Sequence, residues 1–369
     1  KRQVPNHALI IHSLLHGGGD LQESLKIVNT SGWDTDCNSG NVGCLLGIRN
    51  GMACFDNGPD YRGPVADRMY LSTAEGGRGI TDAVAEAIHV VNAGRALQGQ
   101  EPIAPKDGAR FHFELPGSVQ GFMAEATVET KGTVQVENVS GHSTAGSRSL
   151  GLRYTGVAPG RTARISTPTV IPSKEVSDYF EQRGYTLYAT PTIYPGQTVR
   201  AAMSADEQNS GPVDAALYLR VMRGPEDASE LVRGPSVVLA PGAVHEFEWT
   251  IADLGGAPIA QIGVEIASDR RADGSVYLDY LTWDGAPSVN FVQPGDGSTM
   301  WRQAWVHGLD VFRERWRPAS ARLIQNEGRG LLMQGTCEWT DYQASSTVTI
   351  HLAKAAGIAA RVQGLRRYY

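Results

Sequence analysis

"GSVYLDYLTWDG", residues 274–285, is a short alternating segment with a glycine at each end, the pattern of a half-buried strand. It closes a series of such segments: "ARFHFEL" (109–115), "GTVQVENV" (132–139), "SLGLRYT" (149–155), "ARISTP" (163–168), "TLYATPTIYPGQTVRAAMS" (186–204), "ALYLRVM" (216–222), "EFEWTIADL" (246–254) and "QIGVEIAS" (261–268). Gly, Pro, Asn and Asp turns separate them at intervals of about ten residues, which predicts an antiparallel β-sandwich.

Upstream, "EPIAPKDG" (101–108) reads as a linker, and the first hundred residues read as helical. Ala8, Leu9, Ile11, Leu14 and Leu15 recur at helical spacing and stop at Gly17, Gly18 and Gly19. Asp20 with Glu23 three residues on forms a capping-box start for a second helix to about Thr30. A third helix is expected over Cys37–Asn50 and a fourth over Asp82–Leu97. Downstream of Pro287 a new unit opens with "WRQAWVHGLDVF" (301–312) and continues through "GRGLLMQGTCEWTDYQASSTVTIHL" (328–352) to Tyr369. The expectation is a multidomain chain: an all-α part over 1–104, a sandwich over 105–287, and the start of a second, truncated sandwich over 288–369. The 274–285 strand resembles the last strand of jelly-roll, galactose-binding-like sandwiches, and the final unit resembles the opening of a laminin-G or concanavalin-like sandwich.

Composition bounds the partners. The chain has 369 residues, 41% of them hydrophobic and 20% charged, with a formal net charge of -6. That balance argues against a general nucleic-acid binder, and no apolar run approaches the ~20 residues that span a bilayer. Of the four cysteines, Cys37 and Cys44 would lie ~10 Å apart along one helix, too far for a disulfide. Buried free thiols are the expectation, which favours a reducing compartment.

Chemistry concentrates in "SGWDTDCNSGNVGCLLGIRNG" (31–51). Asp34 and Asp36 flank one threonine and offer two hard oxygen ligands, a set suited to Mg²⁺, Mn²⁺ or Ca²⁺. The competing reading makes Asp36 a helix cap and leaves Asp34 solvated. Ser39, Gly40, Gly43 and Gly47 then leave one helix side nearly bare, at a cost of ~1 kcal/mol per glycine relative to alanine. Close approach of a neighbouring backbone or a ligand would compensate.

"VPNHALIIHSLL" (4–15) and "DLQESLKIVNTSGWDTDCNSGNVGCLLGIRNG" (20–51) together resemble the C-terminal metal-binding segment of the ADP-ribosylglycohydrolase family. The resemblance implies a helical hydrolase with a two-ion Mg²⁺ (or Mn²⁺) site that cleaves a glycosidic bond of an ADP-ribosyl or related ribosyl substrate. It makes Asp34 and Asp36 metal ligands and puts Cys37 where the family has a hydroxyl-bearing ligand; a thiol is a poor ligand for Mg²⁺. Trp33, Thr35 and Asn38 become candidates for substrate contact, with helix packing the alternative for Trp33 and capping or solvation for Asn38. The family's Thr-Asp-Asp motif and upstream catalytic glutamate have no counterpart here. The expectation is therefore a fragment whose catalytic residues lie in a missing N-terminal half.

Other candidates carry a plainer reading beside the functional one. His12 and His16 have i, i+4 metal-ligand spacing without the HExxH pattern, so with His7 they read as surface histidines. "GHSTAGSRS" (141–149) is a ligand or Ca²⁺ loop of the sandwich or an ordinary polar turn, and "GPDYRGP" (58–64) is a turn. Trp301, Trp305, Trp316 and Trp339 form a sugar-stacking platform or a sandwich core. The alternative function is a non-catalytic carbohydrate- or protein-binding multidomain protein with a degenerate hydrolase remnant.

Overall fold

The computed structural model describes residues 3–71, 77–225, 228–294, 297–314, 320–364 and 366–369. They form two compact units, Lys1–Pro64 and Val65–Tyr369. The first holds three helices, α1 (Gln3–His16), α2 (Leu21–Thr30) and α3 (Thr35–Asn50). Asp20 caps α2, its carboxylate accepting from Glu23 N at 2.8 Å. Leu21, Val28, Val42 and Leu46 are the buried centre of this unit, with Ile10, Leu14, Leu25, Cys54 and Phe55 packed around them.

The second unit is a β-sandwich. A short hairpin of β1 (Arg68–Tyr70) and β2 (Ile80–Asp82) leads into α4 (Ala83–Leu97). The sandwich strands are β3 (Met123–Ala124), β4 (Val134–Ser140), β5 (Arg148–Val157), β6 (Ala163–Pro168), β7 (Thr198–Ala205), β8 (Val213–Arg223), β9 (Ala228–Leu239), β10 (Val244–Thr250), β11 (Ile259–Ala267) and β12 (Ala272–Asp284), with α5 (Lys174–Glu181) between β6 and β7. They build two antiparallel five-stranded sheets, in the orders β10-β7-β12-β5-β4 and β3-β6-β11-β8-β9. Alternate residues face inward, as the period of two requires. Leu152, Ala201, Met203, Leu278 and Leu281 from one sheet share a core with Ile165, Leu217, Leu219, Ile262 and Val264 from the other.

The expected all-α domain over 1–104 is not formed. The α-helices of the first unit end at Asn50, residues 68–70 and 80–82 pair as strands, and among the described residues five short α-helices accompany more numerous β-strands. The physical reason lies in the apolar positions counted toward a helical core: Ile11 is 43% and Leu15 73% exposed, so they help no core to close. Residues 288–369 do not open a second sandwich either. They hold two two-stranded pairs, β13 (Val306–Gly308) with β16 (Leu331–Met333) and β14 (Val311–Glu314) with β15 (Ala321–Ile324). Beyond Met333 no described residue belongs to a strand, and the alternating "TVTIHL" (347–352) leaves Val348, Ile350 and Leu352 exposed. No helix among the described residues is long and apolar enough to cross a membrane.

Candidate functional sites

Asp34 stands at the start of α3 with φ 48° and ψ 49°, a left-handed conformation uncommon for a residue other than glycine. Its side chain caps no helical N–H. The carboxylate instead accepts a hydrogen bond from the Asn6 amide of α1, whose Oδ1 accepts Trp33 Nε1 at 2.7 Å. Asp36 and Cys37 follow in the first turn, both exposed. One ligand atom from each of Asp34, Asp36 and Cys37 lies within 4.8 Å of the others. A hydrogen bond to Asp34, and then the negative charges of Asp34 and Asp36, push the Cys37 thiol above its ordinary pKa. A protonated thiol is no ligand for a hard cation, so the donor set fits one oxygen-preferring ion on two carboxylates, with water completing its shell.

The neighbouring candidates make local contacts around the turn. Asn38 is buried, and its Nδ2 donates to Trp33 O at 3.0 Å, which fixes the turn ahead of α3. Thr35 O accepts from Ser39 Oγ. Trp33 is 45% exposed, with its Nε1 donating to Asn6 Oδ1. The bare side of α3 is open rather than tightly packed: a Cβ on Gly40 or Gly43 would meet nothing within 4 Å, and on Gly47 only the Phe55 ring at 3.8 Å. None of the four cysteines is in a disulfide, and Cys37, Cys44 and Cys337 are exposed, not buried as expected.

The remaining sequence candidates also resolve into packing or turns. His12 and His16 pair ring to ring at 4.4 Å on the exposed side of α1, and no third ligand group joins them among the described residues. Asp60 accepts from Arg62 N and Gly63 N, closing the 58–64 turn on itself. Trp301 is buried edge-on against Phe312, while Trp305 and Trp339 pack on Phe291. They form an aromatic cluster in which Trp301 is buried, Trp305 and Trp339 are half-buried and Phe291 is 40% exposed; Trp316 lies outside the described residues.

Sequence reasoning missed the outer face of the β10-β7-β12-β5-β4 sheet. The register of β12 against β7 shifts between Leu278 and Tyr280, so Asp279 is an extra residue in a bulge. Tyr277 and Tyr280, three apart, therefore face the same side, while Leu278 and Leu281 both stay in the core. Their cross-strand partners are small: Tyr280 pairs with Ala202, and Tyr277 with Ser204 on one side and Gly151 on the other. Glu246 lies opposite Ala202, and Arg200 lies between Glu248 and Thr282. The Arg200 guanidinium bonds both Asp284 oxygens at 2.6 Å.

The Tyr277 hydroxyl donates to the Asp206 carboxylate, and the exposed His142 ring stacks on Tyr277 at 3.8 Å and 10°. Burial, then the bond to Asp206, pushes the Tyr277 phenol up to about 12. Burial, then Glu246 and Asp279, raises Tyr280 as well. Both hydroxyls thus stay protonated at neutral pH. Tyr277 is buried beneath His142, so the face combines the exposed His142 ring and the half-buried Tyr280 ring with carboxylate acceptors and a guanidinium donor on strands spaced ~4.8 Å apart. The signal in the sequence is "YLDY" (277–280), where strict alternation would send the two tyrosines to opposite faces.

No protein-family model matches the chain, that of the ADP-ribosylglycohydrolases included, and no curated protein matches it. Among solved structures it is similar to one from work on the promiscuous specificity of carbohydrate-binding modules of the β-sandwich superfamily. There the identity is 17% over 48% of this chain and 62% of that one, with a TM-score of 0.34. It is similar also to a family 22 xylan-binding domain, at 15% identity over 49% of this chain and 95% of that one, TM-score 0.34. A third is the family 11 carbohydrate-binding module of a cellulosomal cellulase of Clostridium thermocellum, at 12% identity over 49% and 95%, TM-score 0.31. At these identities and scores the likeness carries no argument about residues or ligand.

Proposed function

We propose that the sandwich is a non-catalytic carbohydrate-binding module whose ligand lies across the outer face of β7, β12 and β5. The observation that carries this reading is the bulge at Asp279, which brings Tyr277 and Tyr280 to one face above Ala202, Ser204 and Gly151. Sugar rings present C–H faces that stack on the half-buried Tyr280 ring and on the exposed His142 ring that covers Tyr277, while their hydroxyls donate to carboxylates such as Glu246 and Glu248 and accept from Arg200. Tyr280→Ala tests it. Affinity electrophoresis against a panel of soluble neutral polysaccharides should show retardation of the wild-type protein and at least a tenfold weaker effect for the variant. Equal retardation of both, or none by any polysaccharide, sinks the reading.

A second reading attaches to the helical unit and is supported by the convergence of Asp34, Asp36 and Cys37. Here Asp34 and Asp36 hold Mg²⁺ or Mn²⁺, as the resemblance to ADP-ribosylglycohydrolases implies. The ion, when bound, supplies orientation of ribose hydroxyls and activation of a water. The chain's own part is to hold two carboxylates together, Asp34 fixed by Asn6 and the Cys37 thiol kept protonated beside them. Mn²⁺ binding followed by electron paramagnetic resonance should saturate in the wild type and vanish in Asp36→Asn. A wild-type protein that leaves the Mn²⁺ spectrum unchanged rules the site out.

A further inference from the structure

The 141–149 loop, left open by the sequence between a ligand loop and a turn, closes over a buried ammonium. The Lys106 side chain is 1% exposed. Its Nζ donates to Arg148 O at 2.5 Å, Asp279 O at 2.7 Å and Asp279 Oδ1 at 2.5 Å, with Glu114 Oε1 at 3.3 Å. The two carboxylates are themselves saturated. Asp279 accepts from Ser143 Oγ, Thr144 N, Thr144 Oγ1 and Ala145 N at 2.6–3.1 Å. Glu114 accepts from Ser147 N, Ser147 Oγ and Arg148 N at 2.5–3.1 Å.

Two backbone carbonyls and two carboxylates converging on one point is the donor set of an oxygen-coordinated cation, not of an ordinary ion pair. The chain goes to some length to place nitrogen there. Lys106 and Asp107 are consecutive non-glycine residues in the left-handed region, at φ 46° and 57°. The loop backbone passes so close that a Cβ on Gly146 would stand 2.3 Å from Glu114 Oε1 and 2.8 Å from Lys106 Cε. Burial raises Asp279 and Glu114, yet the hydrogen bonds outweigh it and hold both below the usual carboxylate range. One ammonium thus faces two carboxylates.

We propose that this cradle is a cation site that the chain fills with its own Lys106 ammonium, and that deleting the ammonium converts it into a Ca²⁺ site. Three of the N···O distances, 2.5–2.7 Å, exceed Ca²⁺–O distances of about 2.3–2.6 Å only slightly, so those ligands need move by a few tenths of an ångström, while Glu114 Oε1 at 3.3 Å must close by up to about 1 Å. Water admitted into the volume of the lost side chain completes the six to eight ligands that Ca²⁺ takes. The consequence for the wild type is a loop, with His142 stacked on Tyr277, held in place without any metal.

The test compares wild type, Lys106→Ala and Lys106→Ala/Asp279→Asn in EDTA and in millimolar CaCl₂, by thermal melting and by calorimetric titration with Ca²⁺ alone. The wild-type Tm should be the same in both buffers. Lys106→Ala should melt about 10 °C lower in EDTA, having left two charges buried without their partner. It should recover most of that in Ca²⁺, with one more bound ion per chain than the wild type, and the double variant should lose the gain. A Lys106→Ala melt indifferent to Ca²⁺, or the same Ca²⁺ gain in the double variant, overturns the proposal. Should Lys106→Ala be insoluble in EDTA, refolding it in Ca²⁺ decides: soluble protein supports the site, and aggregation in both buffers, shared by Lys106→Met, overturns it.

Discussion

At the scale of single residues, two buried groups of the larger unit titrate in opposite senses over the same pH window. Asp82 caps α4, its Oδ1 accepting from Val84 N at 2.9 Å and Ala85 N at 3.0 Å. Burial nonetheless pushes its pKa from 3.8 up to about 6, with Asp67 adding to the rise. A carboxyl that binds its proton more tightly folded than unfolded stabilises the fold fully below pH ~4, and that contribution is lost as pH rises to ~6. His112, 2% exposed, accepts from Glu114 N on Nδ1, and burial, then the charge of Lys106, lowers it from 6.5 to about 4. Its contribution is complete above pH ~6.5 and is lost as pH falls to ~4. The two slopes offset each other in the wild type. Asn caps helices as well as Asp does, so Asp82→Asn should raise stability at pH 7 by on the order of 1–2 kcal/mol. It should also expose the histidine's acid sensitivity, as a Tm that falls from pH 6.5 to 4. Melting curves running parallel to the wild type across that range would refute the pairing of the two groups.

At the scale of elements, glycines separate what alternation and periodicity reveal from what they hide. The bare side of α3 was legible as a stripe, but a missing side chain does not say what stands opposite, and here nothing does at Gly40 and Gly43. Gly43→Ala should therefore stabilise by about 0.5–1 kcal/mol, the helix-propensity difference with no clash to offset it. Gly263 in β11 is the reverse case: a Cβ would stand 2.2 Å from Ile165 O and 2.6 Å from the Tyr218 ring. Gly263→Ala should cost about 1–3 kcal/mol or more, since backbone cannot retreat as a side chain can. Urea denaturation of both variants checks the contrast, and equal midpoints would show that neither environment is as described. The same limit explains the outer sheet face. The strands of β5, β7, β11 and β12 were legible from their alternation, whereas the Asp279 bulge depends on how β12 pairs with β7, a non-local fact that no window of sequence contains. The Lys106 cradle was hidden for the same reason, its ammonium coming from residue 106 and its oxygen ligands from residues 114, 148 and 279.

At the scale of the whole molecule, the contrast lies in how much each compact unit can bury by itself. Helix positions could be read from caps such as Asp20 and Asp82, yet the resemblance around Asp34 and Asp36 extended the helical part to residue 104, well beyond Pro64. A periodic stripe reports that a helix has an apolar face; it does not report whether that face is covered. Val4, Ile11, Leu15, Leu45 and Ile48 of the first unit are all more than 40% exposed. Its fully enclosed centre is only Leu21, Val28, Val42 and Leu46, against a core that runs through both sheets of the sandwich. Local opening free energy follows buried apolar contact, so amides of α1–α3 should open far below the global stability of the sheets. Native-state hydrogen exchange should show protection in α2 and α3 lower by on the order of a hundredfold or more than in β7, β8, β11 and β12. Adding Mg²⁺ should raise protection at the start of α3, and there alone, if Asp34 and Asp36 hold the ion, because a ligand of the folded state stabilises the segment that binds it. Equal protection in helices and sheets would mean that the small centre is not what limits the first unit. A Mg²⁺ effect spread evenly over the chain would move the ion away from Asp34 and Asp36.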